Sequence, residues 1–113
     1  MWEINGLQIE CDIEDMETAE KVENALKKMA ETNPPQETDT SLSGAIKFHC
    51  NTIKQLFSDV FGTEITEKIF EGVKLNRRIY TDILYSFYDY LSVQKQDMTR
   101  RAKAVNKYIP AKK

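Results

Sequence analysis

A mostly helical α+β fold is what this sequence predicts: an N-terminal β-hairpin packed on three longer helices and one short helix. Three observations lead there. Apolar and polar residues alternate on either side of Asn5-Gly6. Apolar residues recur at spacings of three and four through three long segments, the helical period. Between the last two of those segments lies LFSDVFGTEITEKIFEG, residues 56–72, where Phe61 runs into Gly62 and Phe70 is followed two positions on by Gly72. There a helix stops, turns on glycine and restarts, with large apolar side chains held at the corner.

The hairpin spans residues 2–12. Asn-Gly is the preferred pair for a two-residue type I′ turn, because both central positions need positive φ. In that register Ile4 faces Leu7 and Trp2 faces Ile9, all four on one side with Cys11 beyond. Glu3, Gln8 and Glu10 fall on the other. An isolated hairpin is marginal in water, so its apolar face needs helices to cover it.

A first helix is expected over about 15–33. Asp12 or Asp15 caps it, and Glu17 suits its positive end. Met16, Ala19, Val22, Leu26 and Met29 form one stripe. Pro34-Pro35 cannot continue a helix, so Pro34 to Thr40 reads as a polar, mobile loop. The second long helix, 41–61, opens at Ser41. Its seam runs through Leu42, Ala45, Ile46, His49, Ile53, Leu56, Phe57 and Val60. Glycine at Gly62 supplies a left-handed stop. Thr63 then caps a short helix over 63–71, which Gly72 closes. The last helix, about 75–105, has the seam Leu75, Ile79, Ile83, Phe87 and Leu91, widened by Leu84 and Tyr88. Past Leu91 the pattern thins to Val93, Met98, Ala102 and Val105. Residues 1–106 thus read as a single domain and 107–113 as a basic C-terminal tail.

Composition bounds the function. The 113 residues are 41% hydrophobic and 30% charged, ordinary for a globular chain. No apolar run approaches the roughly 20 residues of a membrane helix. The start, MWEINGLQIECD, has neither a basic n-region nor an apolar h-region. Cys11 and Cys50 are far apart and fit no metal spacing, so they read as reduced thiols packed as small apolar groups. The expected compartment is the cytoplasm. Net charge is −2, yet residues 1–40 hold eleven acids and three bases, and residues 95–113 hold seven bases and one acid. The basic end could meet the acidic end of this chain or of a neighbouring copy, meet nucleic acid, or stay solvated.

Residues of a type that carries chemistry are few. His49 and Cys50 are adjacent, but neighbours on a helix point about 100° apart and do not face each other. Asp59 with Glu64, and Glu67 with Glu71, lie on polar faces or helix starts, without the burial that separates paired carboxylate pKa values. Four scattered glycines form no phosphate loop. No catalytic, cofactor or metal residues are assigned, and no enzyme is expected. Tyr80, Tyr85, Tyr88 and Tyr90 crowd one helix behind Arg77 and Arg78. Tyrosine and arginine are enriched in protein interfaces, and these six are the candidate protein-binding surface. Arg100, Arg101, Lys103, Lys107, Lys112 and Lys113 are the candidate basic end. The neutral middle of the chain does not suit a groove that tracks a nucleic-acid backbone.

MWEINGLQIECDIED at the start, FSDVFGTEITEKIFEGVKLN in the middle, a late aromatic helix and the basic KYIPAKK end together resemble small phage- and prophage-encoded proteins of Gram-positive bacteria. They are similar to the helical tail-assembly chaperones encoded near the tape-measure gene. That resemblance implies a non-enzymatic assembly factor in the host cytoplasm that binds the tape-measure protein or another tail protein, with homo-oligomers possible. The competing expectations are a structural head–tail or tail component of the virion, and a small nucleic-acid-binding regulator using Arg77, Arg78, Arg100, Arg101 and the C-terminal lysines.

Overall fold

The computed structural model describes residues 1–32 and 41–108, and the side chains of 1–32 and 41–104. Six elements follow in order: strands β1 (Trp2–Ile4) and β2 (Leu7–Ile9), then helices α1 (Met16–Glu31), α2 (Leu42–Phe61), α3 (Thr63–Ile69) and α4 (Arg77–Tyr108). The fold is α+β and mostly α, as predicted. The expected loop Pro34–Thr40 lies outside the described residues, as do Lys112 and Lys113.

The hairpin has the predicted register. Trp2 pairs with Ile9 and Ile4 with Leu7 in an antiparallel ladder. Asn5 and Gly6 both take positive φ, 49° and 79°, as a type I′ turn demands. Asn5 does more than turn the chain: its Nδ2 donates to the Ile69 carbonyl at 2.9 Å, tying the turn to the end of α3.

Helix α1 is capped by Asp15, whose carboxylate accepts from the Thr18 N–H at 3.1 Å. Val22 and Ala25 are its buried residues, with Leu26 and Met29 packed beside them. Met16, expected at the head of the stripe, is exposed because it precedes the first turn that reaches the core. Helix α2 packs against α1, and Lys28 Nζ and Asp59 Oδ2 tie the two at the surface at 3.4 Å. Ser41 caps α2 by accepting from the Gly44 N–H at 3.0 Å. Its buried face is Cys50, Ile53, Leu56, Phe57 and Val60. Leu42 and Ala45, assigned to that seam from sequence, stay exposed because α2 starts outside the body.

At the corner Gly62 adopts φ 88°, ψ 162°, a conformation open only to glycine at little cost. It ends α2 and starts α3 in a single residue. Thr63 does not cap α3, contrary to expectation; it is already the first helical residue, and no side chain caps this helix. Thr66, fully buried, instead returns its hydroxyl to the Gly62 carbonyl at 2.8 Å. The helix ends at Ile69, two residues short of the expected 71, because Phe70 has left helical geometry to point into the core.

Helix α4 starts at Arg77, not near Leu75. Asn76 is the reason: its Oδ1 accepts from the N–H groups of Arg78 and Ile79 at 2.9 and 3.1 Å. Leu75, left outside the helix, is 51% exposed, and Ile79 is also largely exposed. The true buried face is Tyr80, Ile83, Leu84, Phe87 and Leu91. The helix also outruns its expected end and takes in Lys107 and Tyr108, both assigned to the tail from sequence. Ala102, Lys103 and Ala104 are strong helix formers, and cations suit a helix C-terminus.

An aromatic cluster joins these elements. The Trp2 ring stacks on Phe57 at 5.4 Å and Phe61 at 5.9 Å, and tilts against Phe87 at 5.1 Å. Phe57 also meets Phe70 at 5.7 Å and Phe87 at 5.4 Å. Such pairs add about 0.5–1.5 kcal/mol each beyond the area they bury. The hairpin is therefore part of the core, and its indole N–H is satisfied by the Ser86 hydroxyl at 3.1 Å.

Candidate functional site: the outer flank of helix α4

The six residues proposed from sequence as a protein-binding surface divide between core and surface. Tyr80 is only 3% exposed; its ring stacks on Phe70 at 4.5 Å, and burial raises its phenol pKa. It is a core residue, not an interface residue. Tyr90 is half-buried on the hairpin side, and its hydroxyl donates to the Cys11 carbonyl at 3.1 Å. Its pKa is likewise raised, chiefly by burial. Phe70, just past α3, covers Tyr80, and the backbone at Cys11, just past the hairpin, holds Tyr90.

Tyr85, Tyr88, Arg77 and Arg78 remain available. Tyr85 is 57% exposed, and half-buried Tyr88 sits 6.1 Å from it. Arg78, Thr81, Tyr85 and Tyr88 are spaced three, four and three apart, so they form one ridge along the helix. At its head, Ile46, Leu75, Arg77, Arg78, Thr81 and Asp82 line a shallow groove. Leu42, one turn before Ile46 on α2, is also strongly exposed.

Helices α2 and α4 are parallel neighbours. His49 lies against Thr81 and Phe57 against Phe87, so residue numbers rise together along both helices. Their N-termini, capped by Ser41 and Asn76, therefore share one end of the molecule, with Arg77 and Arg78 beside them. Helix N-termini carry partial positive charge. The end that presents exposed Leu42 and Leu75 beside half-buried Ile46 thus gathers positive charge, with Asp82 the acid at its groove.

His49 and Cys50 point apart, as their adjacency on a helix predicts. His49 Nε2 is 3.1 Å from the Thr81 hydroxyl. Burial and then the Arg77 charge lower its pKa. Cys50 is completely buried, and burial raises its thiol pKa. Cys11 is buried as well, and burial, helped by Asp12, pushes its thiol up to about 11. Thiols held protonated in this way are poor nucleophiles. Among the described residues, no three of His, Cys, Asp and Glu gather in a way that would hold a metal ion, and no helix is long and apolar enough to cross a membrane.

The basic end is separate from this flank. Arg77–Arg78 and Arg100–Arg101 stand on one helix about 35 Å apart, at ~1.5 Å per residue. Arg101 Nη2 is committed to Glu14 Oε2 at 2.6 Å, while Arg100 pairs weakly with Asp97 at 3.7 Å. Lys103 is exposed. Gln94, which sequence reasoning passed over, is the polar joint between α4 and the hairpin. Its amide donates to the Cys11 carbonyl at 2.6 Å and its oxygen accepts from the Ile13 N–H at 2.9 Å. The signal was present: Gln94 occupies a seam position, three residues after Leu91.

Fold and surfaces together define a small helical bundle capped by a β-hairpin, with an aromatic ridge on one side and a long helical overhang at one end. The chain belongs to the DUF6673 family, a family of unknown function whose model matches residues 5–113. No curated protein and no solved structure matches it.

Proposed function

We propose that this protein is a non-enzymatic assembly factor that holds a helical segment of a client protein against the outer flank of α4. The observation that carries this reading is the Arg78–Thr81–Tyr85–Tyr88 ridge, which leads into a groove edged by half-buried Ile46 and exposed Leu75. An amphipathic client helix docks in such a groove through apolar anchors at helical spacing. Tyrosine supplies contact area at low entropic cost, and the paired helix N-termini with Arg77 and Arg78 favour a client with acidic residues beside its apolar stripe.

The resemblance of residues 1–15 and 57–76 to phage tail-assembly proteins supports a particular client. That client is the long, helix-rich tape-measure protein of a phage tail, kept soluble while the tail tube grows. Co-expression tests it. The tape-measure protein encoded with this chain should move into the soluble fraction and co-purify, and Tyr85→Ala combined with Arg78→Glu should abolish co-purification without altering the circular dichroism spectrum. Unchanged client solubility in the presence of the unmodified protein would defeat the proposal.

A further inference from the structure

His49 is the one histidine of the chain, and its ring stands where α2 meets α4. Its Nε2 lies 3.1 Å from the Thr81 hydroxyl. That hydroxyl donates to the Arg77 carbonyl at 2.7 Å. A hydroxyl carries a single proton, so toward His49 its oxygen is the acceptor. The imidazole is therefore the neutral tautomer with hydrogen on Nε2, and Nδ1 is the bare nitrogen open to a further proton. Among the described residues this is the one hydrogen bond that joins α2 to α4; elsewhere the two helices meet through apolar contacts such as Phe57 on Phe87.

We propose that His49 is a proton-sensitive clasp between these helices: neutral, it holds α2 to the second turn of α4 through Thr81, and a proton added at Nδ1 sets a half-buried positive charge beside Arg77 and weakens the attachment. The surroundings decide the sign. His49 is half-buried, so its charged form loses solvation. Arg77 on α4 is the charge that bears on the ring, and like charges repel. Asp82 lines the same groove as Arg77, Arg78 and Thr81, so two cations there face one acid. On α2 itself the neighbours are exposed Lys47, a further cation, and the buried Cys50 thiol, which burial keeps protonated. From α1, Lys28 is tied to Asp59 and Glu31 is exposed.

Burial and then Arg77 hold the ring's pKa below its ordinary 6.5. The unfolded chain therefore binds this proton more readily than the folded one. The resulting stabilisation is complete above pH 6.5 and is lost as pH falls through the folded value. The groove at the head of the α4 flank shares Arg77 and Thr81 with the clasp, so acid acts on its wall. The clasp itself belongs to the fold and stands whether or not a client binds there.

Nuclear magnetic resonance tests it on the unmodified protein, because a single histidine gives a single imidazole pattern. At pH 8 the long-range proton–nitrogen spectrum should place hydrogen on Nε2. The ring should titrate below 6.5, and Arg77→Gln, at an exposed position, should move the midpoint back toward 6.5. Urea denaturation should show stability falling between about pH 7 and pH 5, the range in which histidine titrates. His49→Gln keeps an amide donor for Thr81 but cannot titrate, so it should fold at pH 7 and lose most of that fall. Hydrogen on Nδ1 at pH 8, or a midpoint at or above 6.5, would overturn the proposal. So would a midpoint indifferent to Arg77→Gln, or an equal fall in His49→Gln.

Discussion

Phe57 is where the hairpin, the corner and the last helix meet, so replacing it tests the packing account most severely. Its side chain is wholly buried and touches the rings of Trp2, Phe61, Phe70 and Phe87. Phe57→Ala leaves a cavity bordered by rigid rings that cannot collapse inward. A deletion of this kind costs about 3–5 kcal/mol. A domain of this size holds only ~5–15 kcal/mol in total. At about 4 °C per kcal/mol the melting temperature falls by roughly 12–20 °C. The chain contains one tryptophan, and Trp2 stacks directly on the deleted ring. Urea melts followed by Trp2 fluorescence and by far-ultraviolet circular dichroism therefore report the hairpin and the helices separately. The two curves should shift together. Phe61→Ala, which removes a half-buried ring, should cost about half as much. A loss below about 1 kcal/mol for Phe57→Ala, or a tryptophan emission already typical of water in the unmodified protein, would refute the claim that the hairpin shares this core.

Two further outcomes are expected. Asn5→Gly keeps the positive φ that the turn needs but loses the donor to the Ile69 carbonyl; chemical denaturation should show a loss of about 1 kcal/mol with unchanged β-hairpin pairing by NMR. Cys11 and Cys50 should resist iodoacetamide at pH 8 until the chain is unfolded. Because the folded Cys11 pKa is raised from 9.0 to about 11, the native state keeps its proton longer than the unfolded state does. This contribution is intact below pH 9 and is lost as pH rises toward 11. Stability rising over that interval would contradict the assignment.

Much of the fold could be read from local chemistry. Asn5-Gly6 sets the parity of the hairpin, so Trp2 and Ile9 could be assigned to one face before any tertiary contact was known. Gly62 and the phenylalanines around it marked the corner for the same reason: only glycine takes that backbone conformation cheaply. The aromatic helix resisted such reading. Residues 79–91 place apolar or aromatic groups on most of the circumference of α4. Which arc is buried depends on where α2, α3 and the hairpin lie, and no residue of α4 encodes that. Tyr80 and Tyr85 are thus indistinguishable in sequence, though one is core and the other surface. Leu75 misled for a different reason: Asn76 starts the helix after it and leaves a large apolar side chain in solvent. Of the candidate interface, Tyr85, Tyr88, Arg77 and Arg78 remain on one flank, whereas the basic end is a distant and partly self-paired feature.

The tie between the two ends of the chain bears on how the protein is made. Trp2, Cys11, Ile13 and Glu14 find their hydrogen-bond partners in Ser86, Tyr90, Gln94 and Arg101, 79 to 87 residues later. Closing loops that long is slow compared with winding a helix. During synthesis residues 2–14 emerge well before α4 and are among the last to be seated. Until residue 87 has cleared the ribosome, the indole ring and the phenylalanines of α2 lack the Phe87 ring that completes their shelter. A nascent chain stalled before that point carries a sticky aromatic surface, and translation through α4 is the step that retires it.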